Sequence, residues 1–348
     1  MGRRSLFLTV LGGLAIVAAC SDKPTRAPLI GGGGSSGGGG GSSSGASDGG
    51  ISLDGGQVIT LSDTQLAPAS LLLTGSHVFW IDKGNATTLG SIQRAALPSG
   101  APEIVAKNVP GPTSIAIDAS GALFVSVLGE DATLPGIYRV QGSTLVAVST
   151  GTEDEAPGSL VAEKGDLFWL STSAGGVSLR RKPSASGAVT IGQSVVGTYG
   201  EHALVVSNGE VFAALDAGGS GTILRAAATS TGGAGEAIGN VVGGIGQIVL
   251  APDGASLLGV TPGGIVRVDL TSGKATPLIS GLGTPTVLAR DGNNLFFFDA
   301  KAGTVSRVST AGGTQDRILE GFTTVSSMAV NSTGAFLTPT KSVVFVRF

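Results

Sequence analysis

Short apolar runs alternate with polar turns along most of the chain after residue 56. In a representative segment the apolar runs fall at 114–117, 122–126, 136–140 and 145–148, and Gly-, Asp- and Ser-containing turns separate them. Runs of this length with β-branched or aromatic residues, bounded by turn formers, predict β-strands joined as hairpins. Apolar residues at helical spacing are absent from this part of the sequence. We therefore predict an all-β domain over residues 51–348.

The four-run segment is repeated along the domain. The first turn of each copy contains one of a series of glycines spaced 38 to 46 residues apart: Gly75, Gly121, Gly165, Gly209, Gly254, Gly292 and Gly334. A repeat of roughly 40 to 50 residues that contains four strands is typical of β-propeller blades. We predict a seven-bladed β-propeller built of four-stranded antiparallel blades. A six-bladed ring is the alternative, if one copy is absorbed into its neighbours.

The last copy is incomplete. It supplies apolar runs at 325–330, 334–338 and 343–347, and the sequence then ends at Phe348. A further run at 57–61 precedes the first complete copy and has no partner of its own. We expect strand 57–61 to pair with strand 343–347, because this pairing completes the last blade and closes the ring without an exposed sheet edge.

An arginine ends an apolar run in every copy, in the third strand of the blade. The seven are Arg94, Arg139, Arg180, Arg225, Arg267, Arg307 and Arg347. Seven guanidinium groups could converge on an anionic ligand. Because one copy per blade is what a structural role requires, we interpret them as structural repeat residues. We expect them to bond backbone carbonyls and acids such as Asp82, Asp216 or Asp299 between blades.

The N-terminus reads as an export signal. A basic start at Arg3 and Arg4 precedes an apolar run, 6–19, that is too short to span a membrane as a mature helix. The following Val17-Ala18-Ala19-Cys20 resembles the bacterial lipobox, whose cysteine is acylated and becomes the new N-terminus. We predict a signal peptide at 1–19 and lipidation of Cys20. An ordinary secretory signal with an incidental cysteine is the alternative.

A Gly- and Ser-rich linker follows the cysteine, so that residues 20–50 form a tether. Such a chain cannot bury a core and behaves as a coil, with an end-to-end distance of roughly 30 Å for about 30 residues. The lipid bilayer, reached through acylated Cys20, is therefore an expected partner. Ser21, rather than Asp, after the cysteine resembles lipoproteins sent to the outer membrane of Gram-negative bacteria. We expect an exported protein anchored in the bacterial cell envelope.

Charge argues against nucleic acid as a partner. Once Arg3 and Arg4 leave with the signal peptide, 19 basic residues stand against 24 acidic ones. No basic patch accumulates in the sequence, and we predict no nucleic-acid binding. We also predict no cofactor, no bound metal and a monomeric protein.

Candidate ligand contacts lie in two kinds of loop. In a propeller the loops joining strand b to c and strand d to the next strand a open on the same face. Five acids fall in such loops: Glu130, Asp131, Glu153, Asp154 and Glu155. A cation site is conceivable, because hard cations require several oxygen ligands. A solvated acidic rim is the simpler interpretation, since no Asp-x-Asp-x-Asp spacing occurs.

His202 is the best single candidate for a ligand contact. It follows Tyr199 and Glu201 at the entrance to an innermost strand, where the central channel opens. A hydrogen-bonded rim residue is the simpler alternative. The other histidine, His77, lies in a turn and is expected at the surface.

The repeats resemble known propeller motifs. Val78-Phe79-Trp80-Ile81-Asp82, and Gly264-Ile265-Val266-Arg267-Val268 followed by a Ser272-Gly273 hairpin, are similar to YWTD and NHL repeats, especially those of lipoproteins from predatory and soil-dwelling Gram-negative bacteria. The resemblance spans 66–348 and implies the fold and a tendency to bind macromolecules. It implies no substrate and no catalytic residue.

We therefore expect an envelope lipoprotein whose propeller binds or scaffolds a protein, peptide or glycan through the loops of one face. A propeller hydrolase or lactonase with a channel-mouth active site is the alternative. It would need Glu, Asp and Asn side chains converging on a channel metal, whereas the starts of the innermost strands offer mainly Thr113, Ser114, Ser159, His202, Gln247 and Thr286. Whether the protein is an enzyme stays open at this stage.

Overall fold

In the computed structural model, residues 52–53, 57–129, 133–152, 155–194 and 197–348 are described. Their 29 strands form seven antiparallel sheets, and no helix occurs among these residues. The first strands of neighbouring sheets contact one another in sequence order, and the seventh contacts the first. The sheets are therefore blades around a central channel, as the sequence repeat predicted. The described part of the chain contains no helix long and apolar enough to cross a membrane.

Each blade runs outward from the channel as strands a, b, c and d. Blade 1 contains β3 (Pro68–Leu73), β4 (His77–Asp82), β5 (Gly90–Ala96) and β6 (Glu103–Val109). Blade 2 contains β7 (Pro112–Ile117), β8 (Leu123–Val127), β9 (Gly136–Gln141) and β10 (Thr144–Thr150). Blade 3 contains β11 (Ala156–Glu163), β12 (Asp166–Ser173), β13 (Gly176–Lys182) and β14 (Val189–Ser194).

The next three blades follow the same order. Blade 4 contains β15 (Leu204–Ser207), β16 (Glu210–Asp216), β17 (Ser220–Ala227) and β18 (Glu236–Val242). Blade 5 contains β19 (Ile248–Leu250), β20 (Ser256–Thr261), β21 (Gly264–Asp269) and β22 (Ala275–Ser280). Blade 6 contains β23 (Pro285–Asp291), β24 (Asn294–Asp299), β25 (Thr304–Ser309) and β26 (Asp316–Glu320).

Blade 7 joins the two ends of the domain. Its strands are β27 (Met328–Asn331), β28 (Gly334–Leu337), β29 (Val343–Arg347) and, as strand d, β2 (Val58–Ser62). β2 runs antiparallel to β29, with Ile59 opposite Phe345 and Thr60 opposite Val344. The predicted closure of the ring is confirmed, with strand d displaced by one residue from the expected 57–61.

A short strand before the ring was not foreseen. β1 (Ser52–Leu53) pairs with β26 and gives blade 6 a fifth strand at its outer edge, with Leu53 opposite Leu319. The expected signal peptide at 1–19 and linker at 20–50 lie outside the described residues.

Apolar side chains between the blades form the core. Strand b is the most deeply buried element, because both of its faces lie against neighbouring blades: Trp80, Phe168, Phe212 and Phe297 are at most 1% exposed. The cluster at the closure joins blade 7 to blade 1 through Leu61, Trp80, Phe336 and Phe345. The ring is thus sealed by packing as well as by strand pairing.

Hydrogen bonds between successive strands a form an inner ring around the channel. The hydroxyl oxygens of Ser70, Ser114, Ser159 and Ser327 accept an N–H within, or directly before, strand a of the next blade. The distances are 3.2 Å from Ile115, 3.1 Å from Leu160, 2.9 Å from Ala203 and 2.9 Å from Leu71. Gln247 does the same for Leu288 at 2.8 Å. These serines are buried, so their hydroxyls serve the backbone of the ring and are not presented to a ligand.

The repeat arginines occupy one register position in five blades. They lie opposite an apolar residue of strand b: Arg94 opposite Phe79, Arg139 opposite Phe124, Arg225 opposite Phe212, Arg267 opposite Leu258, and Arg307 opposite Phe296. The pairing corrects the other two assignments. In blade 3 the equivalent residue is Arg181, opposite Phe168, and in blade 7 it is Phe345, opposite Phe336. Arg180 and Arg347 are therefore not repeat positions.

The expected aspartate partners have a different role. Asp82 and Asp299 each accept two successive backbone N–H groups just before strand a of their own blade, at 2.7 to 2.9 Å. Asp216 accepts the N–H of Gly218 at 2.9 Å. The expectation that these acids pair with the arginines was wrong, since the described contacts of their carboxylates go to backbone amides. The aspartates instead fix the loops on the face where strands a begin.

Candidate functional site

An ion pair crosses the channel on the face formed by the b–c and d–a loops. Lys83 Nζ, in the b–c loop of blade 1, lies 2.5 Å from Glu201 Oε1, in the d–a loop before strand a of blade 4. The two residues are 118 positions apart and belong to opposite sides of the ring. We call this pair, together with Thr113, Leu128, Pro157 and Tyr199, the channel mouth.

The turn beneath Lys83 is held rigidly. Asp82 Oδ1 accepts the N–H of Gly84 at 3.1 Å, in addition to its bonds to the loop before strand a. Gly84 has a φ of 73°, and a side chain there would overlap the carbonyl oxygen of Thr88. Only glycine adopts this conformation at low cost. The local sequence Asp82-Lys83-Gly84 therefore directs the lysine over the channel.

One carboxylate oxygen of Glu201 has no described hydrogen-bond partner. Oε1 holds Lys83, whereas Oε2 is buried and has no hydrogen-bond partner among the described residues. Leaving a buried acceptor unpaired costs about 1–3 kcal/mol. Such a group is poised to gain a donor when its surroundings change.

His202 lies next to this carboxylate and reaches across the channel. Its Nε2 is 3.4 Å from Ser327 Oγ, which belongs to blade 7. Its backbone has a φ of 54°, a left-handed conformation that is unfavourable for a non-glycine residue. Its carbonyl accepts the N–H of Ile248 at 3.1 Å and so takes the place that serine or glutamine side chains fill in other blades of the inner ring.

Burial lowers the pKa of His202 below its ordinary value of 6.5, and the neighbouring Glu201 carboxylate opposes this shift. The unfolded chain therefore binds a proton more readily than the folded one. Below pH 6.5 the free energy of unfolding should fall as the pH is lowered, and above pH 6.5 this histidine should contribute no slope. Chemical denaturation between about pH 5 and 7.5, above the range of ordinary carboxylates, measures it. His202→Gln should flatten the profile, and an unchanged slope in that variant would contradict the assignment.

Tyr199 anchors the loop that carries Glu201. Its hydroxyl lies 2.8 Å from the carbonyl oxygen of Ala156 and 3.1 Å from that of Leu170, both in blade 3. Burial raises the pKa of the phenol, so it stays a donor. The ring packs over Gly158, where an added Cβ would lie 3.1 Å from it. Tyr199 was expected to contact a ligand, and its polar group is already committed to the blade.

A cavity of about 340 Å³ opens beside the ion pair. Its walls combine apolar groups of Leu128, Ala156 and Pro157 with polar groups of Thr113 and Thr172, and both Lys83 and Glu201 border it. This volume lies within the range of small-ligand sites. His202 is not among the residues that line this cavity.

The predicted acidic rim is only partly described. Glu130, Asp131, Glu153 and Asp154 lie outside the described residues. Glu155 lies 3.1 Å from Arg180, and both side chains are about one-fifth exposed. The Arg180 guanidinium also lies 5.9 Å from the ring centre of Trp169. Glu155 is thus engaged with its own blade.

His77 lies at the a–b turn of blade 1, away from the channel mouth, with Nδ1 2.8 Å from Ser76 Oγ. Within the described ranges no three His, Cys, Asp or Glu side chains lie close enough together to hold a metal ion.

Lys83 is the functional candidate that the sequence did not single out. Its signal was present, because it follows the aspartate of the fullest YWTD-like motif and starts a b–c loop on the same face as Glu201. The sequence could not show that the Lys83 side chain extends across the channel to Glu201.

Comparison with known proteins identifies the fold of this chain but not a family or a function. No protein-family model matches the sequence, and no curated protein matches it. Among solved structures, virginiamycin B lyase from Staphylococcus aureus is similar at a TM-score of 0.62 and 13% identity, over 86% of this chain and 99% of that one. Hydrazine synthase from Kuenenia stuttgartiensis is similar at a TM-score of 0.63 and 14% identity, over 82% of this chain and 97% of that one. A gluconolactonase from Xanthomonas campestris is similar at a TM-score of 0.53 and 11% identity, over 85% of this chain and 90% of that one. At these identities the likeness is one of architecture: the chain folds as a seven-bladed β-propeller.

Proposed function

We propose that this protein is a lipid-anchored envelope protein whose propeller binds a peptide or glycan at the channel mouth. The observation that carries the proposal is the Lys83–Glu201 pair, which bridges the channel beside an open cavity. Loops on a rigid scaffold are the usual place for binding residues. The inner ring of hydrogen bonds and the interblade clusters supply that scaffold here.

The chemistry of the mouth suits a ligand with paired donors and acceptors. A lysine ammonium has three N–H donors, and the described contacts of Lys83 use one of them. Glu201 borders the same cavity, and its buried Oε2, which has no described hydrogen-bond partner, would accept a bond from a ligand that displaces the groups covering it. Hydroxyl groups of a sugar and amide groups of a peptide offer both a donor and an acceptor, and the apolar wall at Leu128 and Pro157 can cover the body of either ligand.

The tether follows from the sequence. Acylation of Cys20 would place lipid at the start of the Gly- and Ser-rich linker, and two or three acyl chains make a durable anchor where one is marginal. The propeller would then stand off the bilayer with its channel mouth free to meet components of the envelope.

A comparison of binding profiles tests the site. We expect purified protein to bind a subset of an array of bacterial glycans and peptidoglycan peptides. Glu201→Gln and Lys83→Met should each lower affinity for the bound subset by about tenfold, the loss expected for one charge-assisted hydrogen bond. Glu236→Gln is the matched control, because Glu236 is an exposed acid that pairs with Arg225. Equal losses in all three variants, or no binding at all, would refute the proposal.

A catalytic use of Glu201 and the adjoining His202 is the second candidate. The specific observation in its favour is His202, whose pKa burial lowers, so that a neutral imidazole lies next to Glu201 at neutral pH. Mass spectrometry of array ligands after incubation separates the two functions. Products that require His202 would show a hydrolase or lyase, and intact bound ligands would show a binding module.

A further inference from the structure

A second cavity lies between blades 1 and 2, on the face opposite the channel mouth. It has a volume of about 510 Å³ and is bordered by Phe79, Arg94, Ile104, Leu123, Arg139 and Gly142. Gly142 belongs to a c–d turn, and the a–b turn at 120–122 forms one rim. We call it groove 1/2. It shares no lining residue with the cavity at the channel mouth.

Arg139 stands in this groove without an ion pair. In three other blades the repeat arginine faces an acid on strand d: Arg94 opposite Glu103, Arg225 opposite Glu236, and Arg307 opposite Asp316. The residue opposite Arg139 is Val146. Arg139 is exposed, and no hydrogen bond or salt bridge engages its guanidinium within the described part of the chain. Asp118 interacts with Arg139 electrostatically without forming an ion pair. Its Oδ1 already accepts hydrogen bonds from Ser120 and Ala122.

Two of the equivalent grooves are each crossed by a hydrogen bond from the repeat arginine to the next blade. Arg181 donates to the carbonyl of Ser230 at 3.0 Å, and Arg267 donates to the carbonyl of Thr310 at 2.6 Å, in each case across to the next blade. The groove bordered by Arg225 and the Ser230 turn has a volume of about 280 Å³. In groove 1/2, Arg94 directs both Nε and Nη2 to Glu103 Oε2 and makes no described bond to blade 2. The arginine–carbonyl bond that crosses those two grooves is therefore not made in groove 1/2 among the described residues.

An apolar contact lies beside the unpaired cation. Ile104, on the outermost strand of blade 1, is 65% exposed, and Phe79 and Leu123 line the groove below it. An aliphatic side chain fixed at the surface next to a guanidinium offers a complementary partner two features at once: burial of apolar surface and a charge-assisted hydrogen bond.

We propose that groove 1/2 binds an extended peptide segment in which an acidic residue lies next to an aliphatic one. The acid pairs with Arg139, and the aliphatic side chain packs on Ile104. A main-chain carbonyl of the peptide faces Arg94, in the way that carbonyls of the next blade face Arg181 and Arg267. The site is independent of the channel mouth and would act as a second contact with a protein partner.

Selection from a library of random twelve-residue peptides displayed on phage tests the proposal. The baits are the full chain, Arg139→Gln, Ile104→Ser and the control Arg347→Gln. Arg347 is also an exposed arginine at the end of a strand c, without a described side-chain partner, but lies in blade 7. We expect the wild type and Arg347→Gln to enrich the same acidic–aliphatic peptides. Arg139→Gln and Ile104→Ser should fail to enrich them.

Fluorescence anisotropy with the most enriched peptide then measures affinity. Arg139→Gln should weaken binding by about tenfold or more, and replacing the acid of the peptide by its amide should do the same. Binding should also weaken as salt is added, because the site is exposed. Three outcomes overturn the proposal: no acidic–aliphatic enrichment on the wild type, equal losses in Arg139→Gln and Arg347→Gln, or polyglutamate binding as tightly as the selected peptide. Unchanged thermal unfolding of the variants excludes misfolding as the cause.

Discussion

Replacing Phe345 by alanine should remove about 3–5 kcal/mol from the free energy of unfolding, the usual cost of deleting a buried aromatic side chain. Phe345 is 1% exposed and lies in the cluster that joins blade 7 to blade 1. Its ring centre lies 4.7 Å from that of Phe336, and its backbone lies opposite Ile59 of the N-terminal strand. A domain of this kind has only about 5–15 kcal/mol in total, so we expect a large shift of the guanidinium midpoint.

Phe348→Ala provides the matched control for this prediction. Phe348 is three residues further along the chain, is 46% exposed and stacks on Phe296 at 5.1 Å. Because nearly half of its surface stays in contact with water, its loss should cost only about 1–2 kcal/mol, well below the cost of losing Phe345. Equal destabilisation by the two substitutions would show that the closure between blades 7 and 1 is not packed as described.

Cys20→Ser should move the protein from the membrane fraction to the soluble fraction almost completely. The acyl chains expected on Cys20 contribute about 0.8 kcal/mol for each buried methylene, so their loss removes the whole anchor. Fractionation of cells and immunoblotting measure the distribution, and mass spectrometry of the N-terminal peptide detects the lipid directly.

A relocated cysteine controls for the thiol itself. Cys20→Ser combined with Ser35→Cys keeps one cysteine in the chain but places it in the linker, outside the lipobox-like sequence. This double variant should stay soluble, because recognition requires the small residues before the cysteine. Retention of Cys20→Ser in the membrane fraction would contradict the lipoprotein proposal.

The architecture could be predicted from the sequence because the same pattern of strands and turns occurs in every blade of a propeller. Each copy carries its own turn glycine and its own strands, so an error in one copy is corrected by the others. The missing strand of the last blade likewise has one good candidate, and β2 lies within one residue of the predicted range. Strand β1 escaped prediction because a pair of residues at the edge of blade 6 carries no pattern.

The register of the arginines was harder to read. Arg180 and Arg181 are adjacent, and only the pairing of Arg181 with Phe168 identifies which one occupies the repeat position. In blade 7 the position is filled by Phe345, and Arg347 follows two residues later. A one-residue slip moves a side chain to the other face of a sheet, so run endings alone could not decide these cases.

The loop that carries the candidate residues could be predicted, but the contacts of these residues could not. Glu201 lies at the channel mouth, and the adjoining His202 faces Ser327 of blade 7. Their partners Lys83 and Ser327 come from blades on the other side of the ring, and a contact across a channel leaves no local trace in sequence. Tyr199 was predicted to contact a ligand because it precedes His202 in the loop at the entrance to an innermost strand. Its hydroxyl is bonded to blade 3, and its ring packs closely over Gly158.

Hydrogen–deuterium exchange with the best array ligand is the most direct test that function resides at the channel mouth. The account predicts slower exchange in 83–89 and 197–203, the segments that carry Lys83 and Glu201, and no change in the a–b and c–d turns on the opposite face. Protection confined to the turns at 118–122 and 142–143, with the mouth loops unaffected, would contradict it.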